Sequence, residues 1–197
     1  MSFDSLYRPG TPGALVMLHG TGGTKESFAA FGAEIAPGRA LLSLDGPVLE
    51  HGARRFFRRK AEGVYDMADL AARTADLDAF LREAFAAHGI APEEAVGVGY
   101  SNGANILANL FLTGARPLET AVLMHPLIPF APDPWPDLTG TRILITAGRA
   151  DPICPPDLTA ELAEGLRGAG ADVALHWEPG GHGVTGGEAA AVAAFLA

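Results

Sequence analysis

Ser101 stands between two glycines in GYSNG, where a short apolar run gives way to a helical pattern. Asp151 follows in AGRADPICPP, and His182 in PGGHGV. A free hydroxyl is a poor nucleophile. It becomes competent when a neutral imidazole can take its proton and a carboxylate holds that imidazole in the right tautomer. Serine, histidine and aspartate supply those three groups, provided that the fold brings them to one place.

The elements that must do so alternate along the chain. Apolar runs at 14–19, 39–45, 95–100, 120–125, 142–148 and 172–178 read as strands. Helical patterns occupy 25–36, 66–88, 102–112, 156–167 and 186–197, with Asp66 as the expected N-cap of the longest. Strands that are apolar on both faces and separated by helices predict an α/β fold: a mostly parallel sheet with helices on both faces. The runs are too short and too closely spaced for a second domain, so one domain over 1–197 is expected. The Pro-rich stretch at 126–137 reads as an excursion over the sheet edge.

In an open parallel sheet the loops at the carboxyl ends of the strands gather on one edge. Ser101, Asp151 and His182 each follow a strand, so all three are expected there, in the chain order Ser, Asp, His. That order, with Gly-x-Ser-x-Gly at a strand-to-helix turn, is a nucleophile-elbow pattern. A fourth element, LHGTGG at 18–23, follows the first clear strand. The backbone N–H groups of Thr21 and Asn102 are the candidates for an oxyanion hole.

Through LHGTGG, GYSNGA, AGRADPICPP and GGHGV the chain resembles the α/β-hydrolase fold, most closely its small phospholipase/carboxylesterase family, over nearly its whole length. The resemblance implies a minimal hydrolase without a large lid. It places Ser101, Asp151 and His182 at the catalytic positions and Thr21 at the oxyanion position. It also departs from the family pattern. Gly23 stands where an acidic residue is frequent, and Asn102 where glutamine is common.

Among the other histidines, His19 is expected to brace the oxyanion loop, His176 lies within a strand, and His125 precedes proline outside the required order. Cys154 reads as a small buried side chain. Five of the 14 basic residues, Arg54, Arg55, Arg58, Arg59 and Lys60, crowd around Phe56 and Phe57. They pair with the acidic face of helix 66–88, or they wall a pocket. The pairing is the plainer reading; family resemblance implies the second, in which Phe56, Phe57, Arg54 and Arg58 bind an acidic or polar acyl group.

Composition narrows the classes. A net charge of −9 gives no support to nucleic-acid binding. No apolar run approaches the roughly 20 residues that span a bilayer. A single cysteine is compatible with the cytoplasm, the expected location. No metal-ligand spacing or cofactor loop is evident, so no cofactor is expected. The reading is a serine hydrolase acting on a small carboxylic ester or thioester through an acyl-enzyme. The alternatives are C–C bond or lactone hydrolysis by the same groups, and a non-catalytic binding protein on this fold.

Overall fold

The computed structural model describes residues 3–197. In chain order the elements begin with β1 (Ser5–Arg8), β2 (Thr11–Leu18), α1 (Lys25–Ile35) and β3 (Arg39–Leu44). Two small hairpins follow, β4 (Val48–Glu50) with β5 (Ala53–Arg55), and β6 (Arg59–Ala61) with β7 (Val64–Tyr65). Next come α2 (Met67–His88), β8 (Val96–Tyr100), α3 (Asn102–Leu112) and β9 (Thr120–Met124). The chain closes with β10 (Arg142–Gly148), α4 (Pro156–Gly168), β11 (Asp172–Glu178) and α5 (Gly186–Leu196).

Among the described residues, seven strands form one sheet in the order β1-β3-β2-β8-β9-β10-β11. β1, which the sequence reading missed, is antiparallel to β3 at one edge; the other pairings are parallel. The hairpins are also additions, formed within what reads in sequence as a polar loop.

Alternating side chains explain the layers. In β2, Val16 and Leu18 join the core beneath α2, α3 and α4, whereas Leu15 and Met17 join the core beneath α1 and α5. Both faces are therefore covered, and β2 is buried throughout its apolar run. In α3 every residue is buried, polar Asn105 and Asn109 included. Those two amides donate to Tyr65 Oη and Thr74 Oγ1, so their burial leaves neither donor unmatched. Asp66 caps α2 by accepting from the Asp69 N–H.

Strand order reverses direction at β2, whose chain neighbour β3 lies on one side and β8 on the other. Such a switch point opens a crevice at the carboxyl ends of the strands. The loops after β2 and β8 border it, and those loops carry Thr21 and Ser101.

Candidate active site

Ser101 adopts φ 51° and ψ −115°, a strained conformation for a residue with a Cβ. Its N–H donates to Met124 O at 2.8 Å, which ties the turn to β9. The flanking glycines act through space, not through unusual dihedrals, since neither Gly99 nor Gly103 has positive φ. A Cβ on Gly103 would lie 2.1 Å from Leu18 O, so only glycine lets α3 start against the end of β2.

Two further loops converge on this serine. Arg149 N and Ala150 N donate to Glu178 O and Gly180 O, stitching the segment after β10 to the one after β11. A Cβ on Gly148 would be 2.2 Å from Gly181 O, so the glycine permits that contact. Tyr100 Oη donates to His182 O at 2.8 Å and holds the histidine loop over the turn.

The result is a continuous hydrogen-bonded chain. His182 Nε2 is 2.9 Å from Ser101 Oγ, and His182 Nδ1 is 2.7 Å from Asp151 Oδ2. Asp151 Oδ1 accepts from the N–H groups of Ile153 and Cys154 at 2.8 and 3.0 Å. Burial works against the Asp151 charge, but the bonds from Cys154, His182, His125 and Ile153 outweigh it and hold the carboxyl below its ordinary range. An imidazole held this way has Nδ1–H directed at a carboxylate and a lone pair on Nε2 directed at a hydroxyl.

Thr21 and Asn102 both border the cavity beside Ser101. Among the described residues their backbone N–H groups have no hydrogen-bond partner, and that of Asn102 opens α3, where such donors are unsatisfied by the helix. His19 braces the loop of Thr21: Nδ1–H donates to Gly20 O at 2.7 Å, and Nε2 accepts from Gly46 N–H at 3.0 Å. Burial lowers the proton affinity of His19, which suits this neutral, doubly engaged ring.

The Arg-rich segment does line the cavity, but through Arg55 and Arg59 and not through the four residues expected to bind substrate. Phe56 and Phe57 do not wall the cavity; each is fully buried, with Phe56 packed 5.0 Å from the His19 ring and Phe57 edge-on to Tyr65. Arg54 reaches Asp45 instead of the cavity, and Arg58 is exposed and lines a separate surface hollow. The two hairpins are the reason: β5 carries Arg55 and β6 carries Arg59 to the cavity, while Arg54, Arg58 and Lys60 beside them do not line it. Nor do these guanidinium groups pair with α2. Among the described residues the segment meets the start of that helix through the Arg58 backbone, whose N–H donates to Asp69 and whose O accepts from the Asp66 N–H.

Arg55 is buried, donating to Thr21 Oγ1 at 2.7 Å and to Phe57 O at 3.3 Å. Arg59 pairs with Glu50 and Glu62. Together with Tyr65, Leu127 and Ile153 they line a cleft of about 270 Å³ that contains Ser101 and His182.

Two further side chains extend this network: His125, which the sequence sets aside as lying outside the required order, and Glu188, which it does not single out. His125 Nδ1 is 2.8 Å from Asp151 Oδ2, and Glu188 lies behind it with Oε2 3.2 Å from His125 Nε2. His125 directly follows β9 on the same sheet edge, a usable signal. Glu188 reads in T-G-G-E as a helix-capping residue, which hides its inward direction. Cys154 is buried, and its Sγ–H donates to His125 O at 3.2 Å.

Comparison with known proteins finds hydrolases of the same fold. A family model for TAP-like proteins of the α/β-hydrolase group matches residues 128–197, which include Asp151 and His182. MhqD of Bacillus subtilis (strain 168), whose name gives it only as a hydrolase, is 41% identical over 185 residues, covering 93% of this chain and 92% of MhqD. The crystal structure of a Bacillus cereus carboxylesterase superposes with a TM-score of 0.93 at 37% identity, covering 98% of this chain and 93% of that one. A Mesorhizobium loti carboxylesterase superposes with a TM-score of 0.91 at 30% identity, covering 98% and 94%.

Proposed function

Because the chain belongs to the α/β-hydrolase family, we propose that it is a serine hydrolase cleaving small carboxylic esters or thioesters through an acyl-enzyme intermediate. The observation that carries this reading is the Ser101–His182–Asp151 chain, with contacts of 2.9 and 2.7 Å, at the floor of a cleft on the switch-point edge.

In the proposed reaction Ser101 Oγ attacks the acyl carbon as His182 Nε2 accepts its proton. Asp151 Oδ2 keeps Nδ1 protonated and offsets the imidazolium charge. The N–H groups of Thr21 and Asn102 receive the oxyanion of the tetrahedral intermediate. Collapse expels the alcohol or thiol, which takes the proton from Nε2. Water then repeats the sequence and releases the acid. A cleft of about 270 Å³ suits a short acyl group, and Arg55 beside Thr21 favours a polar one. The carboxylesterase names of two structural relatives support the ester class.

Fluorophosphonate labelling tests the reading. The expected result is a single adduct on Ser101 and turnover of short p-nitrophenyl esters, declining as the acyl chain lengthens. An unlabelled Ser101 in folded protein would point to a binding protein instead.

A further inference from the structure

His125 and Glu188 are fully buried, yet the proposed reaction uses neither. Each imidazole nitrogen of His125 faces a carboxylate, Nδ1 at 2.8 Å from Asp151 Oδ2 and Nε2 at 3.2 Å from Glu188 Oε2. A neutral imidazole has one N–H and one lone pair, so it can bond only one of these carboxylates as donor. Two bonds need two protons: both on the ring, or one on the ring and one on Glu188. In either arrangement the His125–Glu188 pair is neutral as a whole. Thr146 Oγ1 bonds the other oxygen of Glu188 and fixes it.

The remaining groups around the ring add no charge. Tyr100 stands edge-on at 5.9 Å between centroids, its phenol pushed up to about 12 mainly by burial. The Cys154 thiol, at the His125 carbonyl, is also raised, mainly by burial. The His182 ring lies 5.1 Å away, centroid to centroid. At that distance an imidazolium at 125 without a counter-charge would oppose protonation of His182. Glu188 cancels it. A buried ionic pair of this kind is a poor way to gain stability, since apolar residues fill the same space at less desolvation cost.

We propose that His125 and Glu188 act as a proton-sharing pair that positions Asp151, turning its carboxylate toward His182 and keeping it ionised while His182 gains and loses a proton. The proposal rests on the reading of Ser101, His182 and Asp151 as the reacting groups. Asp151 Oδ2 is shared by the two histidines at 2.7 and 2.8 Å, while Oδ1 is held by backbone. The His125 donor thus settles which way Oδ2 points and draws on its charge. Burial opposes protonation of the His125 ring, but the bonds to Glu188 and Asp151 outweigh it and raise the ring's proton affinity.

The kinetic test compares His125→Leu with His125→Asn on a neutral ester. Without the donor, Asp151 attracts the His182 proton more strongly, so the acid limb of kcat/KM should move up by about one pH unit. The kcat should fall roughly tenfold or more with KM unchanged, by analogy with the loss seen when groups that orient a metal-binding histidine are removed. In His125→Asn, the amide Nδ2 can take the place of Nδ1, and both quantities should return toward wild type. A folded His125→Leu variant with unaltered kcat and acid limb overturns the proposal.

A second measurement needs no variant at position 125. In the ¹⁵N spectrum of the wild-type protein, the His125 ring should keep one protonation state from about pH 6 to about pH 9, unlike an ordinary imidazole. In Glu188→Gln it should titrate within that range. A wild-type His125 ring that titrates there also overturns the proposal. Both spectra can be read even if Ser101 proves unreactive to a fluorophosphonate, so failure of the hydrolase reading and failure of this pair are separable.

Discussion

His182 Nε2 lies 2.9 Å from Ser101 Oγ although 81 residues separate them in the chain. The contact depends on a serine held at φ 51°, a region that costs about 1–3 kcal/mol for a residue with a Cβ. Replacement of the serine therefore has two expected outcomes. Ser101→Ala should abolish ester turnover and leave the melting temperature almost unaltered, because alanine keeps the same strain. Ser101→Gly should be equally inactive but more stable, by about 1 kcal/mol in denaturant titration. Loss of stability in the glycine variant would mean that the turn is not strained.

Asp151 accepts four hydrogen bonds, two on each oxygen. In Asp151→Asn an amide nitrogen must face one pair of donors, and the His182 tautomer is no longer held. We expect kcat to fall by about 10⁴, in line with the loss known for the same change in another Ser-His-Asp enzyme. Circular dichroism on the same samples separates this from unfolding. Near-normal kcat in the folded variant would remove Asp151 from the reaction.

Arg55 points into the cleft and Arg58 does not, so the two should behave differently. Arg55→Ala should raise KM for a hemisuccinate-type ester more than for the neutral acetate, because a guanidinium binds a carboxylate bidentately. Arg58→Ala should alter neither. Equal shifts for the two esters in Arg55→Ala would assign the residue to bracing Thr21 alone.

The buried His125 also makes stability depend on pH. Its bonds to Glu188 and Asp151 prevail over burial and raise its proton affinity in the folded state. A group raised in this way stabilises fully below its unfolded value of about 6.5, and the contribution disappears as pH rises through the folded value. The melting temperature of the wild-type protein should therefore exceed that of His125→Asn by more at pH values below about 6.5 than in alkaline solution. A gap that widens with pH would reverse the sign and count against a protonated pair.

Gly103 tests the packing of the elbow. A Cβ there would meet Leu18 O at 2.1 Å and His19 O at 2.7 Å, both backbone atoms that cannot swing aside. Gly103→Ala should destabilise the protein by about 2 kcal/mol or more and reduce kcat by shifting the loop of Thr21. Thermal melting and ester kinetics on one preparation would show whether the two losses occur together.

Much of this arrangement was legible in the chain. Ser101, Asp151 and His182 each follow an apolar run, and strands of that pattern pack in parallel with their carboxyl ends on one edge, so their convergence follows from local signals. The bracing role of His19 followed from its place between a strand and a glycine loop. The short hairpins at 48–65 were not legible, because two- and three-residue strands carry too little periodicity to register.

What the sequence determined by itself was the alternation of the six parallel strands with the five helices, the sheet edge on which the polar groups collect, and which three side chains have complementary chemistry. Those depend on periodicity and residue type, which are local. Only the tertiary structure decided that Arg55 and Arg59, not Arg54 and Arg58, face the cleft, because inward direction depends on the registers of two separate hairpins. It also decided that Glu188, 63 residues beyond His125, turns into the core to meet it. That pairing is set by how α5 packs against the sheet, and no spacing along the chain encodes such a distance.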